Sequence, residues 1–594
     1  MKDFFKTMFA SAMGLFVALL LLGLISFFVL TGMIAAMFAS AEREYKPKEN
    51  TVLKIDLNGS ISDRVIDNPF AALFGSSEVN ELSMIDIKEA IKKAKSNDKI
   101  KGIYLEAGAL SSGIANIRTL RESLADFKES GKFIIAYGSY VSQEAYYLSC
   151  MADKMILNPS GMLDLHGLAT TRMFYTGLFE KLGIQMEVFK VGTFKSYVEP
   201  YTLTKMSDPN REQVTSYMGS LWKNISNDIA TCRNITVETL NNLVNEGIIL
   251  QAPEQWVVSG LVDTLMYKTD VEEYVKDLAG IVKDKDLKTA SIAEVKLMKL
   301  KNAKKYDDKI AILFAEGEIT DIIVGSFNTT SVISEKEYVK ALVDMRKDDH
   351  IKAVVLRVNS PGGSAYTSEQ IWKEVVALKK VKPVIVSMGN VAASGGYYIS
   401  CAADWIVAES TTITGSIGIF GMVPTFGGLM NKVGLTNDCV KTHTFGDLFD
   451  LSRPMRPDER VLMQAGIERG YDLFTTRCAE GRNKTQTEID AIGQGRVWSG
   501  EQALQNGLID ELGGLDRAIE IAAEKAQIEK YSIQHYPKQK DFFTLLMEES
   551  MGSAKNRLIK GMMNETEFHH YMFLKNLDKQ DYMQARMPFD LNVQ

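Results

Sequence analysis

The chain has 594 residues, of which 46% are hydrophobic and 24% are charged. This balance is typical of a globular protein with several domains and excludes an intrinsically disordered chain. The formal net charge is −7 and there is no long basic run, so we do not expect a nucleic-acid partner.

The N-terminal segment is predicted to span a membrane. No charged residue occurs between Thr7 and Ala41, and the most apolar part, Met13–Phe38, exceeds the roughly 20 residues that a spanning helix needs. A cleaved signal peptide has a shorter apolar region of about 7–15 residues, although Ala39-Ser40-Ala41 resembles a cleavage site. We interpret residues 1–41 as an uncleaved anchor, with the remaining chain outside the cytoplasm.

The sequence after the anchor contains one domain twice. Residues 101–196 match the stretch 251 positions later without a gap, and the matches include Tyr146/Tyr397, Cys150/Cys401 and Phe194/Phe445. Two fused copies of a domain of roughly 250 residues explain a single register held for so long. The predicted boundaries are an N-terminal domain over 42–300, a C-terminal domain over 301–540 and a tail over 541–594.

Each copy is predicted to be α/β. Short apolar runs rich in β-branched residues, namely Lys309–Phe314, Ala353–Val358 and Pro383–Ser387, are typical of buried parallel strands. Amphipathic helical stretches such as Glu337–Asp344 and Ser368–Leu378 separate them. This alternation predicts right-handed βαβ units, with ligand sites at the carboxyl ends of the strands.

The two copies differ at a serine flanked by glycines. The C-terminal copy has NSPGGS at Asn359–Ser364 and AASGG at Ala392–Gly396, whereas the N-terminal copy has GALSSG and VSQEA at the matching positions. Adjacent glycines let backbone N–H groups face a ligand, which suits the oxyanion hole of a nucleophilic serine, Ser394. A serine at a helix start can also simply be an N-cap. Its absence from the sister copy favours catalysis.

A serine nucleophile needs a base, and the sequence offers two kinds. None of the six histidines has a recognisable triad spacing, but a triad is a spatial arrangement and this does not exclude one. Lys195 is the other candidate, because Gly446 stands at its position in the other copy. A lone lysine is usually a solvated surface residue. The reciprocal losses nevertheless favour one site assembled from Ser394 of one copy and Lys195 of the other.

These motifs resemble the signal peptide peptidase A family, also called protease IV, in its long double-domain form. The resemblance covers nearly the whole chain and rests on five segments: VGTFKSYVEP (191–200), NSPGGS (359–364), AASGGYY (392–398), TGSIGIFG (414–421) and RVWSG (496–500). It implies two ClpP/crotonase-like domains, with Ser394 as nucleophile, Lys195 as general base and Ser416 orienting the lysine amine. It also implies a bacterial inner-membrane protein, active on the periplasmic side, that degrades cleaved signal peptides.

The mechanism that follows needs a neutral lysine. Free lysine has a pKa near 10.4, and burial lowers that pKa by disfavouring the ammonium. Lys195 would take the Ser394 proton, the N–H groups of Gly363 and Gly395 would hold the oxyanion, and an acyl-enzyme would form. The sequence has no nucleotide-binding or metalloprotease motif, so no cofactor or metal is expected.

Two other functions compete with this one: a crotonase-like acyl-CoA enzyme, and a non-catalytic membrane scaffold of protease descent. The first needs neither Ser394 nor Lys195, and the second has no reason to retain both. The expected partners are peptide substrates, the lipid bilayer and further copies of the chain. The resemblance implies a ring-like homo-oligomer, a tetramer for the double-domain form.

Overall fold

The computed structural model describes residues 2–41, 44–65, 81–282, 284–299, 304–321, 332–538 and 583–587. Within these residues an N-terminal helix precedes two α/β copies, each built on a largely parallel sheet with helices packed against it. The predicted α/β tandem is therefore confirmed.

Helix α1 spans Lys2–Ala41. Its segment Lys6–Ser26 is long and apolar enough to cross a membrane, and none of this segment is buried inside the protein. It overlaps the first half of the predicted span Met13–Phe38, and the same helix continues through the second half. A continuous helix satisfies its own backbone hydrogen bonds, as a membrane span requires.

The N-terminal copy contains, in chain order, β1 Thr51–Ser62, β2 Glu81–Ser83, α2 Met84–Lys95, β3 Ile100–Ser111, α3 Ile114–Lys128, β4 Phe133–Val141, α4 Gln143–Ser149, β5 Lys154–Leu163, α5 Thr176–Leu182, β6 Gln185–Lys190, α6 Glu199–Thr202, α7 Asp208–Arg233, α8 Val237–Asn245, a 3₁₀ turn Ile248–Leu250, α9 Pro253–Val258, β7 Thr264–Leu265, α10 Lys268–Ala279, β8 Thr289–Ala290 and α11 Ile292–Lys296. Its sheet has the order β2-β1-β3-β4-β5-β7, and β8 also pairs with β1. All these pairings are parallel.

The C-terminal copy contains β9 Lys309–Glu316, β10 Glu318–Ile319, β11 Val332–Ile333, α12 Glu335–Lys347, β12 Ile351–Ser360, β13 Gly362–Ser364, α13 Ala365–Lys379, β14 Val384–Ala393, α14 Gly395–Ser400, β15 Trp405–Ala408, β16 Ile413–Gly415, β17 Phe420–Thr425, α15 Gly427–Lys432, α16 Pro457–Arg482, α17 Gln486–Ile492, β18 Val497–Ser499, α18 Gly500–Asn506, β19 Glu511–Leu512, α19 Leu515–Ala526 and β20 Ser532–Tyr536. Its sheet has the order β18-β16-β14-β12-β9-β20, and β15 pairs with β14 and β19. Strands β3, β4 and helix α3 begin 251 positions before β12, β14 and α13, which confirms the repeat.

A third sheet joins the two copies. Strand β6 of the N-terminal copy pairs antiparallel with β17 of the C-terminal copy, from Gln185 opposite Thr425 to Lys190 opposite Phe420. This sheet has the order β11-β10-β13-β21-β17-β6, where β21 is Gln584–Arg586 near the C-terminus. The segment that follows β6, which carries Lys195, is thereby held against the C-terminal copy.

A buried ion pair also connects the copies. Arg357 on β12 donates from Nε and Nη2 to the two carboxylate oxygens of Asp63, at 2.7 and 3.0 Å. Both side chains are fully buried, and Arg357 also donates to Ser387 Oγ and the Met388 carbonyl. Two charges without water are tolerated because this geometry satisfies most of the guanidinium donors.

Candidate active site

Ser394 lies in the tight turn between β14 and α14. Its backbone has φ +55° and ψ −113°, a combination that non-glycine residues rarely adopt and that is found mainly at functional sites. The backbone N–H of Ser394 donates to the Gly415 carbonyl at 2.8 Å. The side chain is fully buried and makes no capping bond to α14, so the N-cap interpretation of its hydroxyl is wrong.

The hydroxyl of Ser394 meets Lys195 from the other copy. Lys195 Nζ lies 2.9 Å from Ser394 Oγ, 3.1 Å from Ser416 Oγ and 3.2 Å from the Ser416 carbonyl oxygen. All three side chains are fully buried. The structure thus brings together the predicted nucleophile, the predicted base and the predicted orienting serine, although 199 residues separate the first two in the chain.

The segment around Lys195 is fixed by the C-terminal copy. The Phe194 N–H donates to the Gln494 carbonyl at 2.9 Å. A side chain at Gly495 would lie 2.6 Å from the Lys195 backbone nitrogen, so this approach requires glycine. Gln213 on α7 donates to the Phe194 carbonyl and accepts from the Val497 N–H. Lys195 therefore projects from a segment with backbone bonds to both copies.

Burial lowers the pKa of Lys195 well below its usual value. The nearest carboxylate along the chain, Glu199, does not offset this effect. Its oxygens accept from Asn210 Nδ2 at 2.8 Å and from the Ser207 hydroxyl, at the start of α7. Lys195 therefore has hydroxyl and carbonyl neighbours without an ion-pair partner among the described residues, and this surrounding favours the neutral amine.

Ser416 holds its position through the backbone. It follows β16 with φ +50°, and its N–H donates to the Arg496 carbonyl at 2.7 Å. Gly418, two residues later, packs so closely that a side chain there would lie 3.2 Å from Lys195 Cδ. The Ser416 hydroxyl and carbonyl consequently face the same amine from one side, opposite the Ser394 hydroxyl.

The predicted oxyanion glycines, Gly363 and Gly395, border a cleft beside Ser394. Gly363 lies on β13 with φ +154°, and a side chain there would lie 2.1 Å from the Ile319 carbonyl oxygen. A side chain on the neighbouring Gly362 would meet both the Gly395 nitrogen, at 2.7 Å, and the Ala585 carbonyl oxygen, at 2.1 Å. The absence of a Cβ at Gly362 thus leaves room for a carbonyl, here that of Ala585, close to the Gly395 nitrogen.

The histidines do not form a triad with Ser394 in the described part of the chain, where Lys195 is the hydrogen-bond partner of its hydroxyl. His166 contacts Asp164, His443 contacts Thr442, and His535 packs on Phe314; His569 and His570 lie outside the described residues. Among described residues there is also no cluster of three or more His, Cys, Asp or Glu side chains that could hold a metal ion.

Sequence reasoning missed the residues that hold Lys195 in place. Gln213, Gln494 and Gly495 are remote from Lys195 in the chain, and each acts through backbone groups or close packing. RVWSG at 496–500 was the signal nearest to them, because Gln494 and Gly495 directly precede it. Sequence reasoning also assigned no role to the C-terminal tail, part of which forms β21 beside Gly363.

Comparison with known proteins gives a consistent family. The model of peptidase family S49 matches residues 126–282 and 376–529, one segment in each copy, and the Clp protease model matches residues 304–410. The two S49 matches follow the internal repeat, and the Clp match gives the ClpP-like fold of the C-terminal copy.

Full-length relatives support the same family. Protease 4 of Salmonella typhi is 35% identical over 522 residues, which are 85% of this chain and 83% of that protein. Protease 4 of Haemophilus influenzae is 32% identical over 86% of this chain and 85% of its own length. The chloroplastic serine protease SPPA of Arabidopsis thaliana is 33% identical over 81% of this chain and 70% of its own. These relatives favour a protease over the acyl-CoA enzyme and the non-catalytic scaffold.

Proposed function

The chain belongs to peptidase family S49 and is a serine protease, and we propose that its catalytic centre is a Ser394/Lys195 dyad assembled from the two copies. One observation carries the proposal: a fully buried lysine, which has no carboxylate partner among the described residues, lies 2.9 Å from a strained serine. A buried ammonium without a counter-charge is costly, so a role for the neutral amine explains the arrangement.

The hydrogen-bond count suits a neutral amine. An uncharged lysine has two N–H donors and one lone pair, whereas an ammonium has three donors. The Ser416 carbonyl and hydroxyl oxygens can accept the two N–H groups, at 3.2 and 3.1 Å. The lone pair then faces the Ser394 hydroxyl, which is the geometry of a general base.

The proposed reaction has two steps. Lys195 takes the proton of Ser394 as Oγ attacks the substrate carbonyl, and the N–H groups of Gly363 and Gly395 stabilise the oxyanion. The Lys195 ammonium then protonates the leaving amine, which departs and leaves an acyl-enzyme. Water attacks the ester while Lys195 again accepts a proton, and this releases the second product and restores the serine.

We further propose that the substrates are extended, hydrophobic peptides such as cleaved signal peptides. The facing backbone edges of β13 and β17 both pair with the strand Gln584–Arg586, so an extended segment fits between them, and a substrate peptide can add in the same way. Next to Ser394 lies a buried apolar cluster of Val214, Tyr217, Leu221, Ala393, Ile413 and Val497, and Met587, just after β21, packs into it. The backbone edges provide affinity without sequence preference, as an enzyme for diverse peptides needs.

The pH dependence of turnover tests the base. Activity should rise with pH as Lys195 loses its proton, with a midpoint well below the free lysine value of about 10.4. The matching measurement is the rate at which a fluorophosphonate phosphonylates Ser394 with loss of fluoride, followed by peptide mass spectrometry. The dyad is wrong if Lys195→Ala is labelled as fast as wild type. It is also wrong if the rise of the labelling rate with pH is changed by substituting a histidine instead of Lys195.

The anchor supports a location in the bacterial inner membrane with the catalytic copies on the periplasmic side. Helix α1 carries the apolar segment Lys6–Ser26 at the N-terminus. A spanning helix resists extraction by salt and by alkali, whereas a peripheral protein is released. Membrane fractionation measures this, and protease accessibility from the periplasm measures the side. Release of the intact chain by alkali contradicts the anchor.

The internal repeat supports a homo-oligomer. Strand β6 pairs with β17 across the two copies, and the repeat places their counterparts at 436–441 and 169–174. Neither counterpart is in a sheet, and each exposes a large apolar side chain, Val440 and Met173. The same pairing between 436–441 of one chain and 169–174 of the next would be a heterologous contact, the kind of contact from which rings are built. We expect a tetramer.

Light scattering of the detergent-solubilised protein tests this assembly. Val440→Asp and Met173→Asp should each reduce the mass to that of a single chain, because a charge in the pairing is not compensated. Val258→Asp is the control, since Val258 is 79% exposed elsewhere in the N-terminal copy. Wild-type protein of single-chain mass would contradict the ring.

A further inference from the structure

A segment near the C-terminus lies in the cleft beside the dyad. Strand β21 pairs antiparallel with β13, placing Arg586, Ala585 and Gln584 opposite Gly362, Gly363 and Ser364. On its other side Gln584 pairs antiparallel with Phe420 of β17. The six-stranded sheet is continuous only because this segment fills the space between the two edges.

The register places one carbonyl at the proposed oxyanion site. The Ala365 N–H donates to the Met583 carbonyl at 3.1 Å, and the Met587 N–H donates to the Pro361 carbonyl at 2.7 Å. Hydrogen-bonded pairs alternate along an antiparallel ladder, so the pair midway between these two, Gly363 and Ala585, is also of the hydrogen-bonded type. The Gly363 N–H therefore faces the Ala585 carbonyl.

The other proposed donor is close to the same oxygen. A side chain built on Gly395 would lie 3.1 Å from the Ala585 carbonyl oxygen. The position that a side chain on Gly362 would take lies 2.1 Å from this oxygen and 2.7 Å from the Gly395 nitrogen. Ala585 thus has the place of the residue whose carbonyl Ser394 attacks, and the bond to Arg586 has the place of the scissile bond.

The side chains of the segment are also accommodated. Ala585 and Met587 are almost completely buried, and Met587 packs in the buried apolar cluster that contains Ala393 and Ile413. Arg586 donates to Glu318 at 2.9 Å and stacks over the ring of Tyr197 at 5.3 Å. The contacts extend over five residues and involve both backbone and side chains, as in a bound peptide substrate.

We propose that Met583–Met587 is an intramolecular pseudo-substrate that competes with external peptides for this cleft, with Ala585 in the acyl position. The proposal rests on the dyad and deepens it, because it also specifies a small residue at the acyl position of true substrates. A tethered peptide acts at an effective concentration in the millimolar range. Even weak binding therefore keeps this segment in the cleft of most molecules. An external peptide must displace the segment before it can react.

Kinetics with an external peptide test the competition. A chain ending at residue 582 should show a KM on the order of tenfold lower than the full chain, with kcat within twofold, because only a competitor has been removed. Ala585→Trp in the full chain should have the same effect, since a large side chain has no space at this fully buried position. A chain ending at Met587 keeps the strand and should behave as wild type. Equal KM values for all four proteins would overturn the proposal.

A crosslink tests the register without using catalysis. Ser364 and Gln584 form a non-hydrogen-bonded pair, whose Cα atoms lie about 4.5 Å apart in such ladders and thus within disulfide range. In a Ser394→Ala, Cys439→Ser background, S364C with Q584C should form a disulfide on mild oxidation, and S364C with M587C should not. Formation in both pairs or in neither contradicts the proposed register.

The two experiments separate the two proposals. If Ser394→Ala retains full turnover, the dyad fails while a specific crosslink still supports the occupied cleft. If Ser394→Ala is inactive but the crosslink does not form and KM is unchanged on truncation, the dyad stands and the pseudo-substrate is wrong.

Discussion

The two copies differ at the position of the proposed nucleophile, Ser394. In the C-terminal copy Ser394 points to Lys195, whereas Gln143 stands at that position in the N-terminal copy. The Gln143 side chain donates to the Gly167 carbonyl at 2.9 Å and accepts from the N–H groups of His166 and Gly167. The N-terminal copy therefore has an amide that holds residues 166–167 by hydrogen bonds, where the C-terminal copy has the Ser394 hydroxyl.

The copies also exchange the other half of the site. Lys195 of the N-terminal copy is fully buried, whereas its counterpart Gly446 lies in an exposed segment of the C-terminal copy. At the position of Ser416 the N-terminal copy has the buried Leu165. On the proposed dyad, each copy retained the complementary half of one site. The central strands kept their positions, whereas β6 and β17 have no strand at the matching positions of the other copy.

The largest effect is expected from substitutions that remove either half of the proposed site. Ser394→Ala and Lys195→Ala should each lower kcat/KM by about 10⁴-fold or more, because both groups act on the same proton. The double variant should be little worse than either single one, since members of a catalytic unit fail together. Lys195→Arg should also be inactive, as a guanidinium does not lose its proton near neutral pH. Steady-state kinetics on a peptide substrate measure all four.

The sister position supplies the control for the dyad. Gln143→Ala should leave turnover within about twofold, but it should lower the free energy of unfolding by about 1–3 kcal/mol because two buried N–H groups lose their acceptor. Loss of turnover in Gln143→Ala, or robust turnover in Lys195→Ala, would contradict a single site shared between the copies.

The oxyanion glycines should give the next largest effect. Gly363→Pro removes the proposed N–H donor and should lower kcat by about 10²–10³-fold, the usual effect of losing one oxyanion donor. Ser112→Pro makes the same change at the matching position of the N-terminal copy, where no carbonyl is to be stabilised, and turnover should persist. Circular dichroism checks that both variants fold. An unchanged kcat in Gly363→Pro would mean that other donors hold the oxyanion.

Much of this architecture could be predicted because it is local in the sequence. Apolar β-branched runs predicted β9, β12 and β14 to within a few residues, since each strand is buried on both faces. The repeat predicted that the second copy follows the first with a shift of 251 residues. The pairing of Ser394 with Lys195 followed from what each copy lacked, and the 2.9 Å distance between them agrees with it.

The remaining features depend on contacts between distant segments. Neither the Arg357–Asp63 pair nor the placement of β21 has a local pattern, because both follow from how the copies meet in three dimensions. A buried arginine in an apolar strand shows only that some acid must accompany it. The tail is rich in Met, Phe and charged residues, but this composition does not predict a strand, and only the backbone edges of β13 and β17 position residues 584–586.

A smaller effect, on stability, is expected at matching positions of β12 and β3. Arg357→Met should lower the free energy of unfolding by about 3–5 kcal/mol, because Asp63 is left buried and unpaired. Glu106 stands at the same position of the N-terminal copy and pairs with Lys54 and Lys268 near solvent, so Glu106→Gln should lower it by about 1 kcal/mol or less. Urea unfolding measures both. Similar losses would show that Arg357–Asp63 is not a dominant contact between the copies.

The smallest effect compares the two serines at the helix starts. Ser142 caps α4 by accepting from the Ala145 N–H, so Ser142→Ala should lower the free energy of unfolding by about 1 kcal/mol without abolishing turnover. Ser394 has the corresponding place before α14 but makes no capping bond, and its backbone has φ +55°. Ser394→Ala should therefore abolish turnover while leaving stability nearly unchanged, because its hydroxyl contacts the Lys195 amine and not the helix. If Ser394→Ala lost as much stability as Ser142→Ala, the Ser394 hydroxyl would have a structural role like that of Ser142.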